Sequence, residues 1–207
     1  MNNILDIHTH HAVPQPEGIV CVSPEVFSPV DNQLYSVGIH PWHIADATDE
    51  IWEKLEIALE NPQVVALGEC GIDIPKGGPL FRQMQVFKRH IDLSEKIGKP
   101  LIIHSVKGQE IIIGLKKEFN PVQPWLIHGF RGKPTIAKMY LDAGIYLSFG
   151  ELFNPDSLKS LPSEFIFAET DESTLTIEEI IARMSMARDT DMTETIATNT
   201  TRFLNLE

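Results

Sequence analysis

The chain has 207 residues, of which 43% are hydrophobic and 22% charged, the balance of an ordinary globular protein with one sizeable core. No apolar run approaches the roughly eighteen residues of a transmembrane helix, and the N-terminus has neither a basic nor an apolar leader region, so membrane insertion and cleavable targeting are not expected. The formal charge of -12, with 12 acidic against 4 basic side chains in residues 151–207, opposes long-range attraction of polyanions such as duplex DNA.

ILDIHTHH at residues 4–11 comes first along the chain. An extended strand turns successive side chains to opposite faces, so Asp6, His8 and His10 are expected on one face and Ile7, Thr9 and His11 on the other. Apolar runs follow at 18–22 (GIVCV), 34–39 (LYSVGI), 64–69 (VVALGE), 101–105 (LIIHS), 125–129 (WLIHG), 145–150 (IYLSFG) and 165–170 (FIFAET). With ILDIH they make eight strands, and from the third onward they alternate with helical patterns, the signature of parallel strands joined by crossover helices. The clearest helix covers about 80–97, with Leu80, Met84, Phe87 and Ile91 as its stripe and Gly98 and Pro100 stopping it. Pro134 and Gly144 bracket another, with Ala137, Tyr140 and Leu141 inward, and a third starts at Thr176 with Glu179 completing a capping box.

This order predicts an α/β protein, a compact (β/α)8 TIM barrel occupying residues 1–207 as a single domain. Such barrels typically need about 250 residues. The shortfall falls between the first three strands, where residues 9–17 and 23–33 are too short and proline-broken for crossover helices. Those first two crossover helices are expected to be shortened or missing, with a homodimer partner or the C-terminal helix covering the gap.

A barrel carries its chemistry at the C-terminal ends of its strands. His8 and His10 close the first strand, His40 follows the third, Glu69 closes the fourth, His104 the fifth, His128 the sixth and Asp171 the eighth. Any one of these could bond a loop carbonyl or cap a helix, but so many imidazoles and carboxylates at one mouth would be costly to crowd together without a cation. Four histidines and two carboxylates exceed the needs of one tetrahedral ion, which points to two divalent metals bridged by Glu69. Paired ions about 3.5–4 Å apart would share a water, lower its pKa and stabilise the entering and leaving oxygens of a hydrolytic displacement. Zinc, manganese and magnesium all remain open as the metal.

The ordered series DIHTH (6–10), GIHP (38–41), LGECGID (67–73), IIHS (102–105), IHGF (127–130) and ETD (169–171) resembles the TatD family of metal-dependent hydrolases, within the amidohydrolase superfamily of barrels. The resemblance implies one metal on His8, His10 and Asp171, a second on His104 and His128, and Glu69 between them. It also implies that Asp171 takes the proton of the attacking water and that His40 touches the scissile group, while Asp6, on the same face as the histidines, is expected to orient a ligand from behind. The implied activity is that of a deoxyribonuclease or related phosphodiesterase acting on DNA ends or small phosphodiesters.

The chain departs from the family at Val106, where HSR is usual, and Lys107 and Arg131 are each either a substitute for that lost charge or an ordinary solvated side chain. It also enters its helix directly after Asp171, which implies a more open mouth. Trp42 is either a stacking wall for a base or a packing residue. His43 flanks His40, while His11 and His90 are expected at the surface or against loops, and Cys70 is expected to point away from the metals as a buried thiol. With Cys21 as the only other cysteine, no disulfide framework arises and a reducing cytoplasm is the expected compartment. Two other functions compete: an amidohydrolase-type enzyme cleaving a C–N or carboxylic ester bond, and a metal-binding scaffold without turnover.

Overall fold

A computed structural model describes residues 4–206. Eight parallel strands close in sequential order: β1 (Asp6–Thr9), β2 (Gly18–Val22), β3 (Leu34–Val37), β4 (Val64–Asp73), β5 (Leu101–Val106), β6 (Trp125–Ile127), β7 (Tyr146–Phe149) and β8 (Ile166–Ala168), with β8 returning to β1 through Asp6 and Ala168. This is the (β/α)8 barrel that the alternation of apolar runs and helical patterns predicts. Helices α1 (Asp49–Leu59), α2 (Leu80–Ile97), α3 (Gln109–Phe119), α4 (Pro134–Asp142) and α5 (Pro155–Ser160) connect the strands from β3 onward, and α6 (Ile177–Arg188) and α7 (Thr193–Phe203) follow β8.

No helix lies between β1 and β2 or between β2 and β3, as the short proline-broken segments require. Within the chain, part of the gap is covered by a loop rather than by a helix. The β2–β3 loop folds back instead: the Phe27 ring meets Tyr35 edge-on at 5.4 Å, and the Tyr35 hydroxyl accepts the Val30 N–H at 3.0 Å. Val20 and Tyr35 are buried within the chain. The end of α7 closes the barrel floor, where Phe203 and Leu204 pack with Ile7, Ile19, Ile102, Leu126 and Phe167.

Local chemistry explains the helix ends. Thr176 and Glu179 form the predicted capping box, the Thr176 hydroxyl accepting the Glu179 N–H at 3.3 Å and the Glu179 carboxylate accepting the Thr176 N–H at 2.8 Å. Gly98 ends α2 in the left-handed conformation, with φ of 70°. The stripe of α2 has Phe87 and Ile91 buried and Met84 half-buried against the core, as expected, and departs from the expectation at Leu80. Leu80 is exposed, and the buried face runs through Gln83, Phe87, His90, Ile91 and Ser94.

Strand β4 runs four residues beyond the expected end at Glu69, because Gly71, Ile72 and Asp73 pair with His104, Ser105 and Val106 of β5. Gly71 has φ of 140°, and a side chain there would collide with the His104 carbonyl, so glycine is what allows β4 and β5 to approach at the level of the polar residues. Strand β1 also departs from the reading of it. Its register shifts between Asp6 and Thr9, so strict alternation fails: Ile7 enters the lumen cluster, while Asp6 and Thr9 both bond the Thr170 hydroxyl.

Candidate metal centre

Alternation along the regular strands lifts the polar residues out of the apolar lumen. Ile102 lies two residues before His104, Leu126 before His128 and Phe167 before Glu169, and each pair shares the inward face. His104 sits near the end of β5 and His128 one residue past β6, while His8 lies within β1 and His10 one residue beyond it. His40 precedes a 3-10 turn, Pro41–Asp46, and its Nδ1 accepts the Trp42 N–H at 3.1 Å, which leaves Nε2 facing inward. Asp171 adopts φ of 54°, a left-handed conformation aspartate tolerates, and is tied to β1 by two backbone bonds of 3.0 Å, its N–H donating to His8 and its carbonyl accepting from His10.

Glu69 is the hub. Its Oε2 lies 3.3 Å from His10 Nε2 and 3.6 Å from His8 Nε2. Its Oε1 lies 2.5 Å from His104 Nδ1, 2.6 Å from His128 Nε2 and 3.2 Å from His40 Nε2. Asp171 Oδ1 is 3.8 Å from His8 Nε2 and 3.9 Å from His10 Nε2. Three groups have ligand atoms within 4.8 Å of one another: His8, His10, Cys21 and Glu69; His8, His128 and Asp171; His40, Glu69 and His104. Every histidine and carboxylate expected in the metal set is therefore at one mouth.

Burial and charge act against each other here. Burial opposes ionisation of Glu69, yet His128, His10 and His104 hold its carboxyl well below the usual range. Burial, reinforced by repulsion from His128, pushes His8 well below the usual imidazole value and keeps it neutral. Burial works the same way on His128, but Glu69 and Glu169 on either side outweigh it and raise that imidazole. Asp171 is raised by burial and by Glu169.

The residues fit a metal on a direct observation. His8 is fully buried with neither ring nitrogen hydrogen-bonded, and its Nε2 points among carboxylate oxygens. A neutral imidazole buried so, with idle nitrogens, is costly unless a cation takes the lone pair.

The other predicted residues divide. Asp6, its carboxyl raised to about 7 by burial, accepts the backbone N–H of His8 at 3.3 Å, the Thr170 N–H at 3.0 Å and the Thr170 hydroxyl at 2.6 Å, so it bonds the chain beside two of the donors and no imidazole ring. Trp42 is 48% exposed, lines the cavity over the centre and donates Nε1–H to Asp73 at 2.7 Å. Lys107 and Arg131 are exposed, and neither lines that cavity of about 470 Å³. His11 lies past β1 and bonds the Ser173 carbonyl at 2.7 Å. His90 does meet a loop, accepting the Ile39 N–H at 3.1 Å, but it is fully buried rather than at the surface. Cys70 is buried with Sγ toward the Ile102 carbonyl.

Three residues escaped the sequence reading. Asp73 accepts His104 Nε2–H at 3.0 Å, which fixes the ring so that Nδ1 faces Glu69. Glu169, fully buried, lies 3.5 Å from His128 Nδ1 and has no hydrogen-bond donor. Cys21 completes one of the donor groups. The available signal was two-residue spacing: Asp73 falls four residues beyond Glu69, Glu169 two before Asp171, and Cys21 two beyond the lumen residue Ile19.

A closed (β/α)8 barrel with imidazoles and carboxylates gathered at the strand ends defines the class of metal-centred barrel proteins. Residues 25–205 match the family described as TatD related DNase, and the chain belongs to that family. It is 29% identical over 160 residues to the uncharacterized metal-dependent hydrolase TatD of Mycobacterium tuberculosis, a match covering 70% of this chain and 61% of that protein. It is 33% identical over 153 residues to an uncharacterized metal-dependent hydrolase of Buchnera aphidicola, covering 70% and 57%. The matched stretch thus spans less than two thirds of those relatives' length. The crystal structure of YjjV, a TatD homologue of Escherichia coli, superposes over 99% of both chains with a TM-score of 0.85 at 20% identity, a likeness of fold.

Proposed function

We propose that this chain is a two-metal phosphodiesterase of the deoxyribonuclease type, with residues 1–207 acting as one unit on DNA ends or small phosphodiesters. The observation that carries the reading is the division of Glu69: one oxygen faces His8 and His10, the other His104 and His128. A carboxylate so placed can serve two ions at once, and the description of the matched family as DNase supports the substrate class. In this reading His8, His10 and Asp171 hold one ion and His104 and His128 the other, as zinc, manganese or magnesium. Two such ions would supply Lewis acidity, lowering the pKa of water and offsetting charge on the entering and leaving oxygens.

The chain's own groups do the rest. Asp171 Oδ1 receives the proton of the attacking water, a role its burial favours by making the protonated carboxyl less costly. His40 Nε2, on the cavity side of Glu69, faces the scissile group, and Asp73 keeps both His104 and the Trp42 ring in place while Trp42 offers a face for a base. Asp6 steadies the backbone on both sides of the centre, and Lys107 and Arg131 reach only the outer parts of a longer substrate. Two free thiols suit a reducing cytoplasm, and among the described residues no helix is long and apolar enough to cross a membrane.

One observation favours the amidohydrolase-type alternative: the residues lining the cavity include Glu25, Asp46 and Glu172 but no lysine or arginine, and a neutral carbonyl needs no cationic side chain. Metal-loaded protein is therefore to be assayed with single-stranded DNA and a chromogenic phosphodiester, beside a lactone and an amide. Cleavage of DNA or the diester with magnesium, manganese or zinc is expected, and Asp171→Asn lowers kcat by roughly 10²–10⁴-fold. Turnover of the lactone or amide alone transfers the reading to C–N or carboxylic ester chemistry. Activity unaffected by Asp171→Asn leaves a metal-binding scaffold.

A further inference from the structure

In β2, Ile19 and Cys21 are two residues apart and share a face. Ile19 packs in the lumen with Ile7, Ile102 and Phe167, so the same strand carries Cys21 up to the mouth, where it lines the cavity. Its Sγ accepts the Glu69 N–H at 3.2 Å, and the thiol, His8, His10 and Glu69 have ligand atoms all within 4.8 Å of one another. Independently, His8 is fully buried and aims an unpartnered Nε2 into this same group. Two imidazoles, one sulfur and one carboxylate are all donor types that zinc accepts, and they stand beside the Asp171 oxygen, 3.8 and 3.9 Å from His8 and His10 Nε2.

We propose that Cys21 is a metal ligand, which makes the His8–His10–Glu69 position thiolate-bearing and selective for a soft ion. The proposal rests on the reading of His8, His10 and Glu69 as metal-binding residues and is independent of what the centre cleaves. Sulfur favours zinc over magnesium and manganese, whose preferred donors are oxygen. As the ion binds, the Cys21 thiol proton leaves to solvent and the sulfur lone pair forms the new bond, with no change of oxidation state. Cys70 supplies an internal control, because its Sγ lies 3.9 Å from the Ile102 carbonyl and belongs to none of the donor groups.

The test is spectroscopic. Cobalt(II)-loaded wild-type protein and Cys70→Ala should show a near-ultraviolet thiolate-to-cobalt charge-transfer band. Cys21→Ser should keep the visible ligand-field bands of bound cobalt and lose the charge-transfer band. Zinc affinity of Cys21→Ser should fall by roughly 10–100-fold, the scale on which even the partners of metal ligands act, with manganese affinity little changed. Should Cys21→Ser fail to fold, X-ray absorption on zinc-loaded wild-type protein decides alone, through a sulfur scatterer at about 2.3 Å. A shell of nitrogen and oxygen only, without the charge-transfer band, overturns the role of Cys21 and leaves the hydrolase reading standing. A sulfur scatterer in protein that cleaves no phosphodiester overturns that reading and leaves Cys21 a ligand.

Discussion

The floor and the mouth of the barrel are built on the same strands, two residues apart, and their chemistry is opposite. At the floor, Ile19, Ile102, Leu126 and Phe167 pack against one another and against Phe203 of α7. At the mouth the next inward positions are Cys21, His104, His128 and Glu169. The floor gains stability from apolar burial at about 25 cal/mol per Å². The mouth loses it, since groups such as His8 Nε2 and both Glu169 oxygens are buried without hydrogen bonds. A chain that keeps such a layer directly above a packed one separates the task of holding the barrel shut from the task of chemistry.

The most severe test of that separation is at the floor. Phe167 is fully buried, and Phe167→Ala should cost about 3–5 kcal/mol in denaturant unfolding. Zinc affinity of the folded fraction should stay within a few-fold of wild type; a collapse of ion binding at temperatures where the fold persists would show that floor and mouth are one unit.

A second test compares two fully buried histidines. His8 has no partner at either nitrogen, whereas His90 in α2 donates Nδ1–H to the Val86 carbonyl at 2.9 Å and accepts the Ile39 N–H at Nε2. His90 is thus neutral and satisfied, with burial as the main cause of a pKa lowered to about 4 from 6.5. Between those values the unfolded chain binds the proton and the folded chain does not, so stability attributable to His90 is complete above pH 6.5 and lost as pH falls toward 4. The loss amounts to about 3 kcal/mol. Unfolding free energies of His90→Gln and wild type across that window should diverge accordingly, the variant showing the flatter acid side; equal slopes would remove His90 from the acid response.

The mildest effect concerns Asp73, which holds His104 from behind. One Asp73 oxygen accepts both Trp42 Nε1–H and His104 Nε2–H and the other accepts the Lys76 N–H at 2.9 Å, so Asp73→Asn keeps the shape but must turn its NH2 group against one of these donors. Ion affinity measured by chelator competition should drop roughly 10–100-fold with the melting temperature nearly unchanged. A large stability loss with intact affinity would place Asp73 with the packing residues instead.

Much of this was legible beforehand because the relevant signals are local. GIVCV at 18–22 is β2 residue for residue, and the capping box at Thr176 forms as its residue types require. The proline-broken segments after β1 and β2 do lack helices. The misreadings share a cause, dependence on a distant partner. The α2 stripe holds at Met84, Phe87 and Ile91 and fails at the exposed Leu80, and the buried face also takes in His90, whose hydrogen-bond partner Ile39 is 51 positions away in sequence. Strand β4 was cut short at Glu69 because its continuation is made by pairing with β5. Strand β1 departs from regular alternation where its register against β2 shifts, and its Asp6 and Thr9 both meet Thr170 from the far end of the chain.

By itself the sequence determined the period of the strands, the stops of several helices and the placing of His8, His10, His40, Glu69, His104, His128 and Asp171 at strand ends, since backbone sterics and apolar alternation act over a few residues. Which oxygen of Glu69 meets which imidazole, that Asp73 and Glu169 stand behind His104 and His128, and that Cys21 joins the donors were decided only when the barrel closed. Those relations join strands that lie far apart along the chain. Their geometry is set by register and curvature, which no local pattern encodes.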